Sequence, residues 1–165
     1  DDEHLELAGY ALMYLSTDNW VLSKLIVSKA KDDEQLSKIL NVRTDVGETL
    51  WIRICDDEDL RKYSDENKWK ISVIEWYFTE ILPVDHASIF ECERVCGKTC
   101  LMLLMEAGLI PLADALCNKI SAAKYKQKIQ LIEHRDNAKK CMLDHAKEQG
   151  IPNQIAWIES QYKSK

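Results

Sequence analysis

Three cysteines spaced four residues apart are the first residues in this sequence whose types suggest chemistry. Cys92, Cys96 and Cys100 follow one another, and His86 lies a short way upstream. Structural zinc sites usually pair cysteines two to four residues apart and complete a tetrahedron with four ligands. This spacing is compatible with a metal site without being specific for one, so a metal-binding domain is kept as an alternative.

A cysteine and a histidine near the C-terminus form the second candidate, here for nucleophilic catalysis. Cys141 and His145 are four residues apart, which places them on one face of a helix, and Asp144 lies beside them. A catalytic thiol needs a base within hydrogen-bond reach and a third group that orients this base. The pair is therefore compatible with a small cysteine-dependent enzyme, although the sequence indicates no oxyanion site.

Two further motifs are incomplete. Gly97-Lys98-Thr99 resembles the end of a phosphate-binding loop, but Cys92 stands where the first glycine of that loop is required. The acidic run at residues 56–59 lacks the alternating spacing and the central glycine of a calcium loop. We therefore predict that the protein is not an enzyme and has no catalytic residue, bound metal or cofactor.

The composition indicates a helical domain. Only five glycines and three prolines occur in 165 residues, whereas average usage is about 7% and about 5%. Because 46% of the residues are apolar and 30% are charged, we predict one soluble all-α domain over residues 1–165.

The number of cysteines indicates the compartment. Six cysteines are few for a disulfide scaffold of this size, which favours reduced thiols in the cytoplasm. Delivery into another cell as an effector stays open. The N-terminal DDEHLEL, without Met or a secretory leader, is typical of a fragment of a longer protein.

The charge is distributed unevenly along the chain. Residues 1–118 hold 12 Lys and Arg against 23 Asp and Glu, whereas residues 119–165 hold 10 against 5. A general nucleic-acid partner is not expected, because counterion release requires clustered cations. Since Glu106 interrupts the longest apolar run, no membrane span is predicted either. We expect a partner protein with complementary charge.

A repeated motif connects the elements that would position these residues. Gly97 to Gly108 has the form G-x-T-x-L-x-x-L-x-x-x-G, and its first half also occurs earlier in the chain, from Gly47 onward. Weaker copies end at Gly150 and at Asn19, where asparagine would replace glycine at positive φ, and Gly9 falls one residue from a motif position. Each motif predicts a short helix and a left-handed stop, and an apolar second helix follows.

This pattern resembles the ankyrin repeat. The resemblance implies an all-α, ankyrin-like solenoid of stacked antiparallel helix pairs with elongated connecting loops, in four copies at residues 5–40, 41–90, 91–132 and 133–165. The chain departs from the family because Thr99-Cys100-Leu101-Met102 replaces T-P-L-H. Its copies are also spaced more widely than the family's period of about 33 residues. The extra length falls at residues 56–68, at residues 83–95 and in a predicted helical insertion at residues 120–135.

The resemblance also implies that the concave surface and the loop tips bind another protein. Carried over onto this sequence, the predicted partner-binding residues are Asp45, Glu48, Asp56, Asp57, Lys98, Glu106, Asn137, Lys140 and Lys147. The other flanking positions are Val46, Val95, Cys96, Ala107, Ala138 and Glu148. A structural spacer within a larger protein is the remaining alternative.

Tryptophan positions add a prediction about burial. Their spacing places Trp51, Trp69, Trp76 and Trp157 mostly in the core, whereas Trp20 begins a second helix and is expected to be partly exposed. An exposed tryptophan on a repeat surface is a candidate binding anchor.

Overall fold

The computed structural model describes residues 2–15, 19–30, 32–56, 68–81, 88–92, 94–120 and 125–163. In this part of the chain the regular structure is helical apart from one isolated β-bridge between Cys92 and Thr99, which confirms the all-α prediction. The helices are α1 Asp2–Leu15, α2 Trp20–Lys29, α3 Asp33–Leu40, α4 Leu50–Cys55, α5 Lys68–Glu80, α6 Cys100–Glu106, α7 Ile110–Lys119, α8 Tyr125–Glu133, α9 Met142–Gln149 and α10 Pro152–Lys163, with a 3-10 turn at Ser88–Phe90. None of these helices is long and apolar enough to cross a bilayer.

Equivalent residues of the motif begin α4, α6 and α9. The Thr49 and Thr99 hydroxyls accept hydrogen bonds from the third amide of their helices, at Ile52 and Met102. Such a cap satisfies an amide that has no partner within the helix. Cys141 occupies the same position before α9, and the carboxylate of Asp144 accepts its backbone N–H. The motif threonine is thus a helix cap.

The predicted helix stops at Gly108 and Gly150 are confirmed. Gly108 and Gly150 have φ of 74° and 65°, the left-handed region in which glycine carries no steric penalty. Pro111 and Pro152 lie in the first turns of α7 and α10, where the missing amide is not required by the helix. Local residue types therefore determine where these helix pairs turn.

The helices pack in a regular order. Helix α4 contacts α6, α5 contacts α7, and α6 pairs with α7 as α9 pairs with α10. The core between them is apolar and includes the stacked rings of Trp51 and Phe78, whose centroids are 6.0 Å apart. At the C-terminal end, Gln154 donates to the carbonyl of Met105 at 2.7 Å and so connects α10 to α6.

The N-terminal copy differs most from its prediction. Gly9 lies inside α1, and a Cβ there would collide with Val42, so glycine serves close packing rather than a turn. Asn19 has φ of −133° and its side chain caps α2 by accepting from the amide of Leu22, so its predicted positive φ is wrong. Helix α3, which packs on α1, was not anticipated. The differences at Gly9 and Asn19 arise because glycine also permits close packing and asparagine also caps helices.

The tryptophan predictions are partly confirmed. Trp51 is fully buried, and Trp76 and Trp157 pack partly buried against the core. Trp20 is 37% exposed, as expected, but Trp69 is 42% exposed and does not belong to the core. Trp69 is the second residue of α5, and its position at the end of the helix leaves its ring on the surface.

Candidate protein-interaction surface

The turn before each short helix has the same backbone conformation. Gly47, Gly97 and Lys139 have φ of 83°, 74° and 64°, and each lies two residues before its helix cap. Lys139 is the only residue other than glycine with positive φ among the described residues. The three turn residues occupy equivalent positions in successive copies of the motif, so the sequence repeat is matched by a repeat of backbone conformation.

Two of the turns also share their hydrogen bonds. The carbonyl of Thr44 accepts a hydrogen bond from the backbone N–H of Gly47 at 2.8 Å. The hydroxyl of Thr44 accepts one from the backbone N–H of Glu48 at 3.0 Å. In the same way, the carbonyl of Asp136 accepts the backbone N–H of Lys139 at 2.9 Å, and its carboxylate accepts the backbone N–H of Lys140 at 3.0 Å. A short polar side chain that bonds to amides a few residues ahead stabilises this kind of turn.

The turns contact one another in chain order. Arg43, just before the first turn, forms a two-pronged ion pair with Glu91, the residue before Cys92. Arg94 of the second turn covers Gly47, so that a Cβ at position 47 would collide with its guanidinium. The three turns therefore form one continuous row rather than separate loops.

Asn137 fastens the third turn to the second. The backbone N–H of Asn137 donates to the carbonyl of Cys96 at 2.8 Å. Its side-chain amide donates to the carbonyls of Val95 at 2.9 Å and Arg94 at 3.4 Å. Nearby, the His134 Nε2 lies 2.7 Å from the carbonyl oxygen of Gly97. Asn137 was predicted to bind a partner, but its side chain is already engaged within the row.

A hydrogen bond between a histidine and a buried aspartate supports the last turn. The His145 Nε2 lies 2.7 Å from an oxygen of Asp136, whose side chain is buried. Burial raises the pKa of Asp136, but hydrogen bonds from the Lys140 backbone and from His145 outweigh it and hold the pKa below its usual value. The carboxylate is thus charged and fully used in holding the turn.

Four of the predicted charged positions form ion pairs at equivalent places. Lys98 lies 2.6 Å from Glu106, and Lys140 lies 2.6 Å from Glu148, eight residues apart in both cases. Each pair connects the residue after a turn to the far end of the short helix. The pairing with Glu148 raises the pKa of Lys140. These side chains neutralise one another, so their net charge toward a partner is small.

The second copy carries two acids at those same positions. Glu48 and Asp56 replace the Lys–Glu combination, and Arg53 lies 3.8 Å from Glu48. Asp45, on the tip of the turn, is exposed, and its carboxylate accepts the amide of Val46. Asp45 therefore places an acidic side chain at the exposed tip of this turn. Asp57, which was also predicted to bind a partner, lies outside the described residues.

The tips of the row are exposed and partly apolar. Val46 is 48% exposed and Val95 is 78% exposed, while Cys96 and Ala138 are also exposed. Lys147, on the last turn of α9, is exposed at the basic end.

The structure places eight of the predicted residues on the turns and short helices of successive copies: Asp45, Glu48, Asp56, Lys98, Glu106, Asn137, Lys140 and Lys147. Arg43, Arg94 and His134 also hold the row together, but the motif gave no signal for them.

The three clustered cysteines differ in exposure. Cys92 and Cys96 are exposed, whereas Cys100 is buried and its thiol donates to the carbonyl of Ile89 at 3.5 Å. Within the part of the chain that the structure describes, no three His, Cys, Asp or Glu side chains are placed to hold a metal ion. The three cysteines predicted as alternative ligands thus occupy different environments.

Cys141 and His145 form hydrogen bonds with different partners. The thiol of Cys141 donates to Asp144 at 3.2 Å, whereas His145 contacts Asp136. Both side chains are half-buried. A nucleophile and its base need a hydrogen bond to each other, and here each engages a different carboxylate.

Comparison with known proteins adds no further constraint. The chain matches no protein-family model, no curated protein and no solved structure.

Proposed function

We propose that this chain is a divergent ankyrin-like stack that binds a partner protein through the row of turns and the adjoining ends of α4, α6 and α9. The observation that carries the proposal is the row itself. Turns of one conformation, at Gly47, Gly97 and Lys139, contact each other in order and leave their tips exposed. A stack of repeats forms an extended surface of this kind, along which side chains vary without disturbing the core.

The stacking of the helices supports the repeat part of the proposal. The short helices α4 and α6 contact each other, and so do the longer helices α5 and α7. The ion pairs Lys98–Glu106 and Lys140–Glu148 recur in consecutive copies, at the same places relative to the turns. Equal local geometry at a sequence repeat is what stacked copies of one unit require.

The charges along the row indicate the chemistry of the partner. The second copy contributes the exposed Asp45, and the last contributes the exposed Lys139 and Lys147. Val46, beside Asp45, and Val95, on the second turn, are also exposed and offer apolar contact area. The partner is therefore a protein with a basic patch opposite the second copy and an acidic patch opposite the last one.

A binding experiment with matched variants tests the proposal. Asp45→Arg, Val95→Asp and Lys147→Glu, combined in one protein, change exposed side chains of the row and leave the hydrogen bonds between its turns in place. Glu159→Lys, at an exposed position of α10, is the control for a change of charge elsewhere. Proteins retained from a cell extract by each immobilised domain are quantified by mass spectrometry.

The proposal predicts a specific set of proteins that the wild type and the control retain and the triple variant loses. Retention of the same set by all three proteins would show that the row is not the binding surface. Reversal of Glu106 is unsuitable for this test, because its pairing with Lys98 means that Glu106→Lys would also place two cations together.

A further inference from the structure

Exposed apolar side chains are concentrated on the first two helices. Seven of the ten large apolar side chains that are exposed in the described part of the chain belong to α1 and α2, and they are Leu7, Tyr10, Tyr14, Trp20, Val21, Leu22 and Leu25. Tyr14 is 69% exposed and Val21 is 65% exposed. Such a concentration of exposed apolar side chains on two adjoining helices of a folded domain, here called the patch, marks an interaction surface. None of its residues belongs to the row of turns.

The two helices present these side chains on the side away from the core. Helix α1 buries Leu12 and Met13, and Leu7, Tyr10 and Tyr14 recur at the helical spacing on its other side. Helix α2 has the sequence WVLSKLIVSK, and only Ser23 is buried in it. A helix that is apolar on nearly all sides is usually buried, with other elements packed on opposite faces. Among the residues that the structure describes, none therefore gives the outer face of α2 the cover that its sequence favours.

Charged residues of opposite sign border the patch at one end. Glu6 of α1 and Lys29 of α2 are both exposed. The start of α1 lies beside the end of α2, because His4, Leu5, Leu25 and Lys29 line the same groove of ≈ 360 Å³. The acidic residue thus belongs to one helix of the antiparallel pair and the basic residue to the other, at the same end.

We propose that this face pairs with the same face of a second copy of the chain. A two-fold axis parallel to the helices, running between α1 and α2, lays α1 of one copy on α2 of the other. Because Glu6 and Lys29 lie at the same end, this operation places Glu6 of each copy opposite Lys29 of the second copy. A face with an acidic half and a basic half is self-complementary under two-fold symmetry, as an isologous dimer interface requires.

The available apolar area is adequate for such an interface. Covered aromatic side chains contribute roughly 150–250 Å² each, so the exposed parts of Tyr10, Tyr14 and Trp20 supply on the order of 300 Å². Leu7, Val21, Leu22 and Leu25 extend this area. A standard interface buries about 800 Å² on each partner, which the seven side chains approach together with their polar border.

The oligomeric state of the whole chain in solution tests the proposal. Sedimentation velocity over a wide range of concentrations is expected to show the 19.1 kDa chain converting to a dimer as concentration rises. Leu7→Glu combined with Val21→Glu is expected to abolish the dimer, because two charges would be buried in the interface. Trp69→Glu, at an exposed apolar side chain that belongs neither to the patch nor to the row of turns, is the matched control and leaves the dimer unchanged. Circular dichroism verifies that each variant is folded.

A charge exchange examines the two-fold arrangement separately. Glu6→Lys and Lys29→Glu each create two like-charge contacts per dimer, and each is expected to weaken association about tenfold. The double variant restores opposite charges and is expected to recover association to within about threefold of the wild type. Failure of this recovery would overturn the two-fold arrangement.

Two other outcomes would overturn the proposal as a whole. One is a monomer at every concentration, including the case in which a different protein occupies the patch. The other is a dimer that persists in the variant with Leu7→Glu and Val21→Glu. Neither outcome bears on partner binding by the row of turns, because the two surfaces share no residue.

Discussion

Replacing Gly97 and Gly108 by alanine, one at a time, is expected to reveal how strongly neighbouring turns hold each other. Both glycines have φ of 74°, so alanine meets the same backbone strain at either position. Only their surroundings differ. A Cβ at Gly108 would have no atom within 4 Å, whereas a Cβ at Gly97 would lie 2.6 Å from Oδ1 of Asn137. The difference between the two variants isolates the contact between turns.

The structure allows the magnitude to be worked out. Left-handed backbone costs an alanine roughly 1–2 kcal/mol, and the lower entropy of the unfolded chain offsets about 0.4–1 kcal/mol of this. Gly108→Ala should therefore reduce the free energy of unfolding by about 1 kcal/mol. Gly97→Ala also displaces Asn137 and so weakens its hydrogen bonds to Cys96 and Val95, 2.8 and 2.9 Å long. At about 1 kcal/mol for each bond, its total loss should be about 3 kcal/mol.

Urea unfolding followed by circular dichroism measures both variants. With a denaturant slope of about 2 kcal/mol/M, the midpoint for Gly97→Ala should lie about 1 M below that for Gly108→Ala. Asn137→Ala in the Gly97→Ala background serves as the control, because the second change should then have little additional effect. Equal losses for the two glycine variants would refute the reasoning that the turns stabilise one another.

Three further predictions concern single contacts. Lys139→Gly should stabilise the protein by up to about 1 kcal/mol, because it removes left-handed strain; a higher urea midpoint would confirm this, and a lower one would contradict it. Asp136 has a lowered folded pKa, so its contribution to stability is complete above the ordinary value of 3.8 and is lost as the pH falls through the folded pKa. The destabilisation caused by Asp136→Asn should accordingly be large at pH 7 and shrink below about pH 4, and a pH-independent difference would count against the pairing with His145. Trp157 donates to a carboxylate oxygen of Asp114 at 3.0 Å, so a double-mutant cycle of Trp157→Phe and Asp114→Ala should give a coupling energy of about 1.5 kcal/mol, and a value near zero would exclude that bond as a link between α7 and α10.

Helix boundaries were the part of the fold most accessible from the sequence. Thr49, Thr99, Gly108 and Gly150 mark starts and stops, and the structure places a cap or a left-handed residue at each. Caps and stops act on amides and carbonyls within one turn of the same residue, so neighbouring residues suffice to predict them. Lys139 could also be placed, because the motif aligns it with Gly97.

The N-terminal copy was harder to predict. Gly9 resembles a turn glycine in the sequence, yet it is required by the close approach of Val42, which lies beyond α3 in a different segment of the chain. Asn19 resembles a left-handed stop, but its side chain caps the next helix instead. Glycine and asparagine each serve more than one backbone role, and the choice depends on which element packs against them.

The candidate surface shows the same division. The motif alignment identified Lys98, Glu106 and Lys140 as surface positions, but it could not show that these side chains are neutralised by ion pairs within their own copies. Likewise, nothing in the periodicity of α2 distinguishes a buried apolar face from an exposed one. An ion pair or an exposed patch depends on the distance between residues far apart in sequence, and local pattern contains no such information.

The sequence by itself determined the helical class, the sites where helix pairs begin and end, and the acidic and basic ends of the chain. These properties follow from composition, from the caps and from residues that tolerate positive φ, all of which act over a few residues. Only the tertiary structure decided which charges remain available, how Arg94 and Asn137 join the turns into a row, and that α1 and α2 leave an apolar face uncovered. These features depend on packing between distant segments, which balances burial, hydrogen bonding and charge across the whole domain.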